Sequence, residues 1–212
     1  MKLYWVKTRW FIKWIFPHFV WSIPNREKTI YLTFDDGPTP QVTEWVLSIL
    51  KQHNIKASFF CIGNNIEKHP DIFKKVIDEG HAIGNHTFNH LNGWNTDNKV
   101  YLDNIDQCEN VISKGLRTKS TLFRPPYGKI KSAQAAAVKK KGYKIIMWDV
   151  LSADFDQSIT PQKCLENVTK NTQEGSVIIF HDSVKAYNNL EYALPEAIEY
   201  LKKKNFRFGT ID

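Results

Sequence analysis

The chain has 212 residues, of which 42% are hydrophobic and 24% charged, and its formal net charge is +7. These proportions exclude an intrinsically disordered chain, and the length suits one domain. The three cysteines are widely spaced and include no CxxC pair, so they imply no disulfide framework. The basic residues are dispersed over apparently helical stretches without a nucleic-acid-binding motif, so no nucleic-acid partner is predicted.

The first 24 residues are rich in Trp, Phe and Ile but are interrupted by Lys2, Lys7, Arg9 and Lys13. No apolar run reaches the roughly 20 residues that a membrane-spanning helix needs, and no small-residue cleavage site is visible. Two interpretations stay open: a basic aromatic segment associated weakly with a membrane surface, or a helix and short strand packed on the rest of the protein. With no visible export signal, we expect a cytoplasmic or peripherally membrane-associated protein.

Short apolar runs alternate with helix-like stretches along the rest of the chain. Strands are predicted at residues 29–34, 57–62, 81–84, 121–123, 143–148 and 176–180, and near residue 206. Helices are predicted at residues 40–53, 70–79, within 96–116, at 131–141, from 161 onward, and at 190–204. This alternation predicts an α/β fold with a mainly parallel sheet. The number of units favours a barrel over an open sheet, a choice that the sequence leaves open.

Polar clusters follow the predicted strands, which is where α/β barrels carry their chemistry. Asp35 and Asp36 end the first strand, directly before Gly37 and Pro38. Two adjacent buried carboxylates repel each other, and a bound cation or a nearby arginine would relieve that repulsion. A turn-forming Asp-Gly pair with an incidental second acid is the simpler alternative.

His86 and His90 are separated by four positions. On a helical turn such a pair faces one way, with Cβ atoms about 5–6 Å apart, which suits two ligands of one ion. The pair alone is a weak signal, and it gains weight if a carboxylate joins it. Two histidines and one carboxylate with an open position form a common catalytic zinc arrangement that also suits other divalent metals.

Three later loops add further candidates. Arg124 precedes two prolines, so the stiff loop can aim its guanidinium at a carboxylate, and Tyr127 then offers a backbone N–H to an oxyanion. His181 directly follows a predicted strand and is a candidate general acid or base, with a structural histidine as the alternative. Asp154 is another carboxylate that follows a strand.

In this order, the motifs resemble those of the NodB-like polysaccharide deacetylases, also called carbohydrate esterase family four. The matching segments are residues 33–38, 86–90, 124–128, Asp154 and residues 180–182. The resemblance covers residues 29–212 and implies a distorted (β/α) barrel of seven or eight units. Residues 29–212 would be the catalytic domain, and residues 1–28 a basic aromatic segment packed on it.

The resemblance also implies a metal site. Asp36, His86 and His90 would hold one divalent metal, usually zinc in the family, with cobalt or another divalent ion as alternatives. Asp35 would be the general base, and Arg124 would orient and ionise it.

The remaining roles concern the leaving group and the acetyl pocket. His181 would be the general acid, Asp154 would keep it protonated, and the Tyr127 backbone N–H would receive the oxyanion. The pocket residues implied are Pro126, Trp148, Phe155 and Phe180. The chain departs from many relatives at Leu151, where they have an acid, at Phe155, where they have Trp, and at Phe180, where they have Leu.

The activity implied is removal of N-acetyl groups from an amino-sugar polymer or oligomer, chitin-like or peptidoglycan-like, by a monomer. Three alternatives stay open. They are an O-acetyl esterase acting on xylan, a cyclic-imide or ureide hydrolase with related motifs, and a sugar-binding relative that has lost catalysis.

Overall fold

The computed structural model describes residues 4–211. Lys2, the start of the predicted segment 1–28 and the last residue of the predicted domain 29–212 lie outside the described residues. Its strands are β1 (Thr29–Asp35), β2 (Ser58–Cys61), β3 (Ala82–Asn85), β4 (Leu122–Phe123), β5 (Lys144–Ile145), β6 (Val150–Leu151), β7 (Val177–His181) and β8 (Arg207–Gly209). Its helices are α1 (Trp10–Ile15), α2 (Val42–Gln52), α3 (Gly63–Lys68), α4 (Pro70–Asp78), α5 (Asn98–Leu116), α6 (Ser132–Lys140), α7 (Pro161–Thr169) and α8 (Tyr187–Lys203).

The strands form one parallel sheet in the order β5-β4-β3-β2-β1-β7-β6, and β8 pairs with the start of β1. The sheet curls into a half-barrel surrounded by helices, which confirms the predicted α/β barrel of the distorted type. Two elements differ from the sequence prediction. Helix α3 was not predicted, and the strand expected at 143–148 is limited to β5, with β6 following it as a separate short strand.

The N-terminal segment pairs with residues of both short edge strands or next to them. The Val20 N–H donates to the carbonyl of Ile145 at 2.8 Å, and the Met147 N–H donates to the carbonyl of Val20 at 2.7 Å. On the other sheet edge, the Leu151 N–H donates to the carbonyl of Val6 at 2.8 Å. The N-terminal segment therefore contacts both edge strands, β5 and β6, where a closed barrel would have strand–strand pairs. Within residues 4–211, no helix combines the length and the apolar character needed to cross a bilayer.

The central strands are buried on both faces, as is usual for parallel sheets. Phe34 of β1 stacks on Phe59 of β2 and on Phe180 of β7, with ring centroids 5.0 and 6.1 Å apart. All three rings lie in the main hydrophobic core between the sheet and its helices. Because the strands are parallel, their carboxyl ends meet at one edge of the sheet, and the polar residues that follow them meet there too.

Candidate active site

Two strands bring the first acid and the last histidine together. Asp35 ends β1 and His181 ends β7, and the two residues are paired in the sheet register. The Asp182 N–H donates to the carbonyl of Asp35 at 3.0 Å, which continues the pairing for one more residue. Residues that are 146 positions apart by number thus lie side by side because β1 and β7 are neighbours.

Arg124 is fully buried and holds Asp35 in place. Its Nη1 donates to Asp35 Oδ1 at 2.6 Å and to Thr33 Oγ1 at 2.8 Å. Its Nε and Nη2 donate to the carbonyls of Ile146 and Met147 at 3.2 and 3.0 Å. A buried guanidinium is tolerated only when it is paired and hydrogen-bonded in this way. Asp35 is therefore bound to the arginine through one oxygen, and its other oxygen is not engaged by that pair.

The backbone of Arg124 also orients His86. The Nδ1–H of His86 donates to the Arg124 carbonyl at 2.7 Å, and a carbonyl can only accept, so Nε2 carries the free lone pair. This Nε2 lies 3.7 Å from both Asp35 Oδ2 and Asp36 Oδ1. Burial lowers the pKa of His86 to about 4. The imidazole is thus neutral and presents the atom that a metal ligand requires.

Asp36, His86 and His90 form a cluster whose ligand atoms lie within 4.8 Å of one another. Asp36 Oδ1 is buried and 3.2 Å from His90 Nε2, yet it receives no aligned hydrogen bond. Burial works to raise the pKa of Asp36, but the contact with His90 and the charge of His181 hold it below its ordinary value. An ionised carboxylate with an unpartnered buried oxygen, beside two imidazoles, fits a divalent cation.

The two histidines come together without a helix, so the assumption of a helical turn at 86–90 is wrong. Thr87 and His90 have φ values of 62° and 54°, in the left-handed region. Asn104 stabilises the loop, because its Oδ1 accepts the N–H of Phe88 at 2.9 Å. The two imidazole centroids are 5.1 Å apart. The ligand spacing is thus produced by a strained loop anchored on α5.

Asp182 stabilises the turn that follows β1. Asp36 has a φ of 80°, an unfavourable conformation for a residue with a side chain. Asp182 Oδ1 accepts the Gly37 N–H at 3.1 Å, and Thr43 Oγ1 donates to Asp182 Oδ2 at 2.5 Å. A Cβ on Gly37 would lie 1.9 Å from Asp182 Oδ2, so only glycine fits. Burial raises the pKa of Asp182 to about 8.

His181 is paired with Asp154, which is fully buried. Asp154 Oδ1 lies 2.7 Å from His181 Nδ1, and Asp154 Oδ2 accepts the backbone N–H of His181, also at 2.7 Å. Burial works to lower the pKa of His181, but the charge and the hydrogen bond of Asp154 raise it to about 9. The imidazole is therefore protonated at neutral pH, and because Nδ1 is engaged, Nε2 is the nitrogen that can donate to a ligand.

A cavity of about 720 Å³ opens above these residues, and Asp35, Asp36, His86, His90 and His181 line it. Its walls include Tyr127, Trp148, Leu151, Ile179 and Phe155.

Two predicted pocket residues lie elsewhere. Phe180 is in the hydrophobic core, because alternate residues of a strand face opposite sides, and Ile179 takes the position on the cavity wall. Pro126 is buried in the loop and does not line the cavity. Tyr127 follows it with a φ of 59° and places its ring 4.6 Å from that of His90.

Five residues of the cavity wall were not predicted from the sequence: Tyr4, Lys129, Ile179, Ser183 and Lys185. The Tyr4 hydroxyl donates to Asp156 Oδ2 at 2.9 Å, and its ring lies edge-on to Phe155 at 5.8 Å. Nothing near Tyr4 in the sequence marks it, because it precedes the first motif by about thirty residues. The two lysines lie within four residues of recognised motifs. This proximity was the one feature of the sequence that could have indicated that they line the cavity.

A family model described as polysaccharide deacetylase matches residues 22–146. A peptidoglycan-N-acetylglucosamine deacetylase of Bacillus cereus is 35% identical over 192 residues, which cover 90% of this chain and 90% of that protein. A peptidoglycan-N-acetylmuramic acid deacetylase of Bacillus subtilis is 33% identical over 193 residues, which cover 89% of this chain and 72% of that protein. The crystal structure of a peptidoglycan N-acetylglucosamine deacetylase in complex with a benzamide compound has a TM-score of 0.88 at 34% identity, covering 94% of each chain.

Proposed function

The chain belongs to the polysaccharide deacetylase family, and on that premise we propose that it hydrolyses N-acetyl groups of an amino-sugar polymer with the help of a divalent metal. The observation that carries the proposal is the cluster of Asp36, His86 and His90 beside Asp35 and His181 in one cavity. Amide hydrolysis needs an activated water and an acid for the leaving amine, and these side chains include the residue types for both.

Asp36, His86 and His90 would hold the ion. The unpartnered Oδ1 of Asp36 and the free lone pair of His86 Nε2 support this assignment. Two imidazoles and one carboxylate suit zinc, which we propose first, and also cobalt and other divalent metals. When bound, the ion supplies Lewis acidity that polarises the acetyl carbonyl and favours the ionisation of water.

The other residues handle protons and charge. Asp35 takes the proton of the attacking water, because Arg124 occupies its Oδ1 and leaves Oδ2 available. The backbone N–H of Tyr127 donates to the carbonyl oxygen as negative charge develops there. His181 then donates its Nε2 proton to the amide nitrogen, which leaves poorly unless it is protonated. Asp154 keeps that imidazole charged until the transfer.

A carboxylate-bearing glycan of the peptidoglycan type is the substrate that we propose, with neutral chitin oligomers as the alternative. Lys129 Nζ lies 5.3 Å from the ring centroid of Trp94, and Lys185 Nζ lies 5.9 Å from that of Phe155. Neither lysine has a carboxylate partner within residues 4–211, so both add positive potential at the cavity wall. Lys185→Met should therefore raise KM for a carboxylated substrate more than for a chitooligosaccharide.

The test measures acetate release and product mass from peptidoglycan fragments, chitooligosaccharides and acetylated xylan, with and without a chelator. We expect N-acetyl hydrolysis that the chelator abolishes and a divalent ion restores. Asp36→Ala should lose both bound metal and activity, and His181→Ala should keep the metal but slow amide hydrolysis. His53→Ala, a partly buried histidine that does not line the cavity, should keep both. Acetate release from acetylated xylan alone would identify an O-acetyl esterase. Sugar binding without acetate release would identify a relative that has lost catalysis.

The organisation of the chain is part of the proposal. We propose residues 29–212 as the catalytic domain and residues 1–28 as an N-terminal segment packed on it in a monomer. The hydrogen bonds from this segment to both edge strands and the position of Tyr4 in the cavity wall support the packing. Peripheral attachment to a membrane through residues 1–24 is proposed as well.

A further inference from the structure

Helix α1 packs Ile12 against the core but exposes its other apolar residues, and it directs its lysine inward. Trp10 and Trp14 lie one turn apart, and each is 77% exposed. Lys13 instead reaches the fully buried Asp149, with Nζ 2.6 Å from Oδ1. A surface helix ordinarily buries its apolar stripe and exposes its charges. The opposite arrangement indicates that a further surface covers this face.

Neighbouring side chains extend the apolar face well beyond one helix turn. The exposed fractions are 51% for Trp5, 38% for Phe11, 53% for Ile15 and 44% for Phe16. The ring of Phe11 lies 5.8 Å from Trp5 and 6.2 Å from Trp10, so these rings form a continuous surface. We name Trp5, Trp10, Phe11, Trp14, Ile15 and Phe16 the aromatic ridge. Single exposed apolar residues are ordinary, whereas a contiguous group of this kind marks an interaction site.

The ridge is held in a fixed position on the barrel. The Thr8 hydroxyl donates to the carbonyl of Trp148 at 2.7 Å, and Lys7 Nζ donates to Asp149 Oδ2 at 2.5 Å. At the other end of the segment, Trp21 Nε1 donates to the carbonyl of Phe16 at 3.1 Å. The apolar surface is therefore preformed, and little ordering is needed before it binds a partner.

The positive charge of the N-terminal segment favours an anionic partner. Residues 1–24 contain no Asp or Glu. Arg9 is exposed and forms no ion pair with any residue of the 4–211 range. Lys7 and Lys13 share the single carboxylate of Asp149, which leaves an excess of positive charge. Tryptophan concentrates at membrane–water interfaces, and basic residues beside it are attracted to anionic lipid.

We propose that the aromatic ridge is a docking surface for an anionic phospholipid bilayer, on which the protein lies without crossing it. Trp10 and Trp14 do not line the catalytic cavity, so the proposal does not depend on the deacetylase reaction. Arg9 would contact the headgroups, and the indoles would enter the interfacial layer. The residual positive charge of Lys7, Lys13 and Asp149 together would add attraction to the anionic surface without direct contact.

The test is co-sedimentation of the full chain with vesicles of phosphatidylglycerol and phosphatidylcholine in equal parts, against vesicles of phosphatidylcholine alone. We expect stronger binding to the anionic vesicles and a blue shift of tryptophan fluorescence. Trp10→Ser combined with Trp14→Ser should weaken binding by about tenfold or more, since both indoles leave the interface. Arg9→Glu should weaken it by about fivefold or more, the factor for one basic residue near an anionic surface.

Two matched controls keep the result specific. Tyr192→Ser combined with Tyr200→Ser removes two exposed aromatic rings from α8, and Lys203→Glu reverses one exposed charge there. Both should bind vesicles as the parent does, and all variants should hydrolyse a soluble substrate equally.

Absence of vesicle binding by the parent, or full binding by the Trp10→Ser, Trp14→Ser variant, would overturn the proposal. A dimer in sedimentation velocity that this variant converts to a monomer would also overturn it, because the ridge would then be an interface between copies of the chain.

Discussion

Asp154→Asn provides the sharpest test of the acid–base assignment. Burial lowers the pKa of His181, but Asp154, followed by the charges of Asp36 and Asp35, raises it from 6.5 to about 9 overall. This net shift corresponds to about 3 kcal/mol in favour of the imidazolium. The His181 side chain is only 14% exposed, so solvent screens this interaction weakly. An asparagine can still accept from Nδ1–H, but it carries no charge. The pKa of His181 should then fall to about 6.5, because Asp154 is the largest of the causes that raise it, while burial opposes protonation and the charges of Asp36 and Asp35 remain.

The charge state of His181 determines how activity depends on pH. His181 must be protonated to donate, so activity is lost as pH rises through its pKa. At pH 8 the protonated fraction falls from about nine-tenths to about 3%, so kcat should drop about thirtyfold in the variant. At pH 6 the protonated fraction is close to one in the parent and about three-quarters in the variant, so only a small loss should remain, together with the effect of altered hydrogen bonding.

The assay is kcat for acetate release over pH 6 to 10, with Asp156→Asn as the matched control. Asp156 lies two residues further on and binds the Tyr4 hydroxyl, so its variant should leave the pH at which kcat declines unchanged. A loss in Asp154→Asn that is the same at every pH would refute the electrostatic role of Asp154.

Three further predictions concern stability, each measured by urea unfolding. Gly37→Ala places a Cβ 1.9 Å from Asp182 Oδ2, so the free energy of unfolding should fall by about 1–3 kcal/mol, and an unchanged midpoint would contradict the packing. Burial lowers the pKa of His81 to about 4, so the unfolded chain protonates first and stability should decline as pH falls from about 6.5 toward 4. His81→Gln should make stability depend less on pH over this range. Identical stability profiles of parent and variant would show that His81 is not the cause of the decline. Thr33→Val leaves one buried Arg124 donor without its acceptor, so the free energy of unfolding should fall by about 1–3 kcal/mol. An unfolding midpoint equal to that of the parent would contradict this role of Thr33.

Local sequence signals were sufficient for much of the architecture. The apolar run before Asp35 predicted β1, which ends at Asp35 in the structure. The helix predicted within 96–116 is found as α5 at Asn98–Leu116, and Asp97 caps it by accepting the N–H groups of Lys99 and Val100. Such elements were predictable because hydrophobic periodicity, capping and turn residues act over a few neighbouring positions.

The candidate site residues were also singled out from the sequence. Asp35, Arg124 and His181 were recognised from motif order, and the structure brings all three to one edge of the sheet. Their roles in catalysis stay predictions. The motifs do not indicate which oxygen of Asp35 accepts the hydrogen bond from Arg124. That depends on the buried conformation of the Arg124 side chain, which also contacts Thr33 of β1.

Other features were decided only by tertiary structure. Both faces of β7 are buried, so no alternation of polar and apolar residues indicates that Ile179, and not Phe180, faces the cavity. His86 and His90 converge through left-handed backbone held by Asn104, which no helical spacing rule describes.

The N-terminal segment shows the same dependence most clearly. Residues 4–24 contact both edge strands, so Tyr4 reaches a cavity whose other walls lie far along the chain. The same contacts turn the lysine of α1 inward toward Asp149 and leave Trp10 and Trp14 exposed. The sequence determined the chemistry that residues 29–212 can carry, because that chemistry depends on residue types in order. The shape of the cavity and the exposure of the aromatic ridge depend on which distant segments meet at the edges of the sheet. Those contacts form only in the tertiary structure.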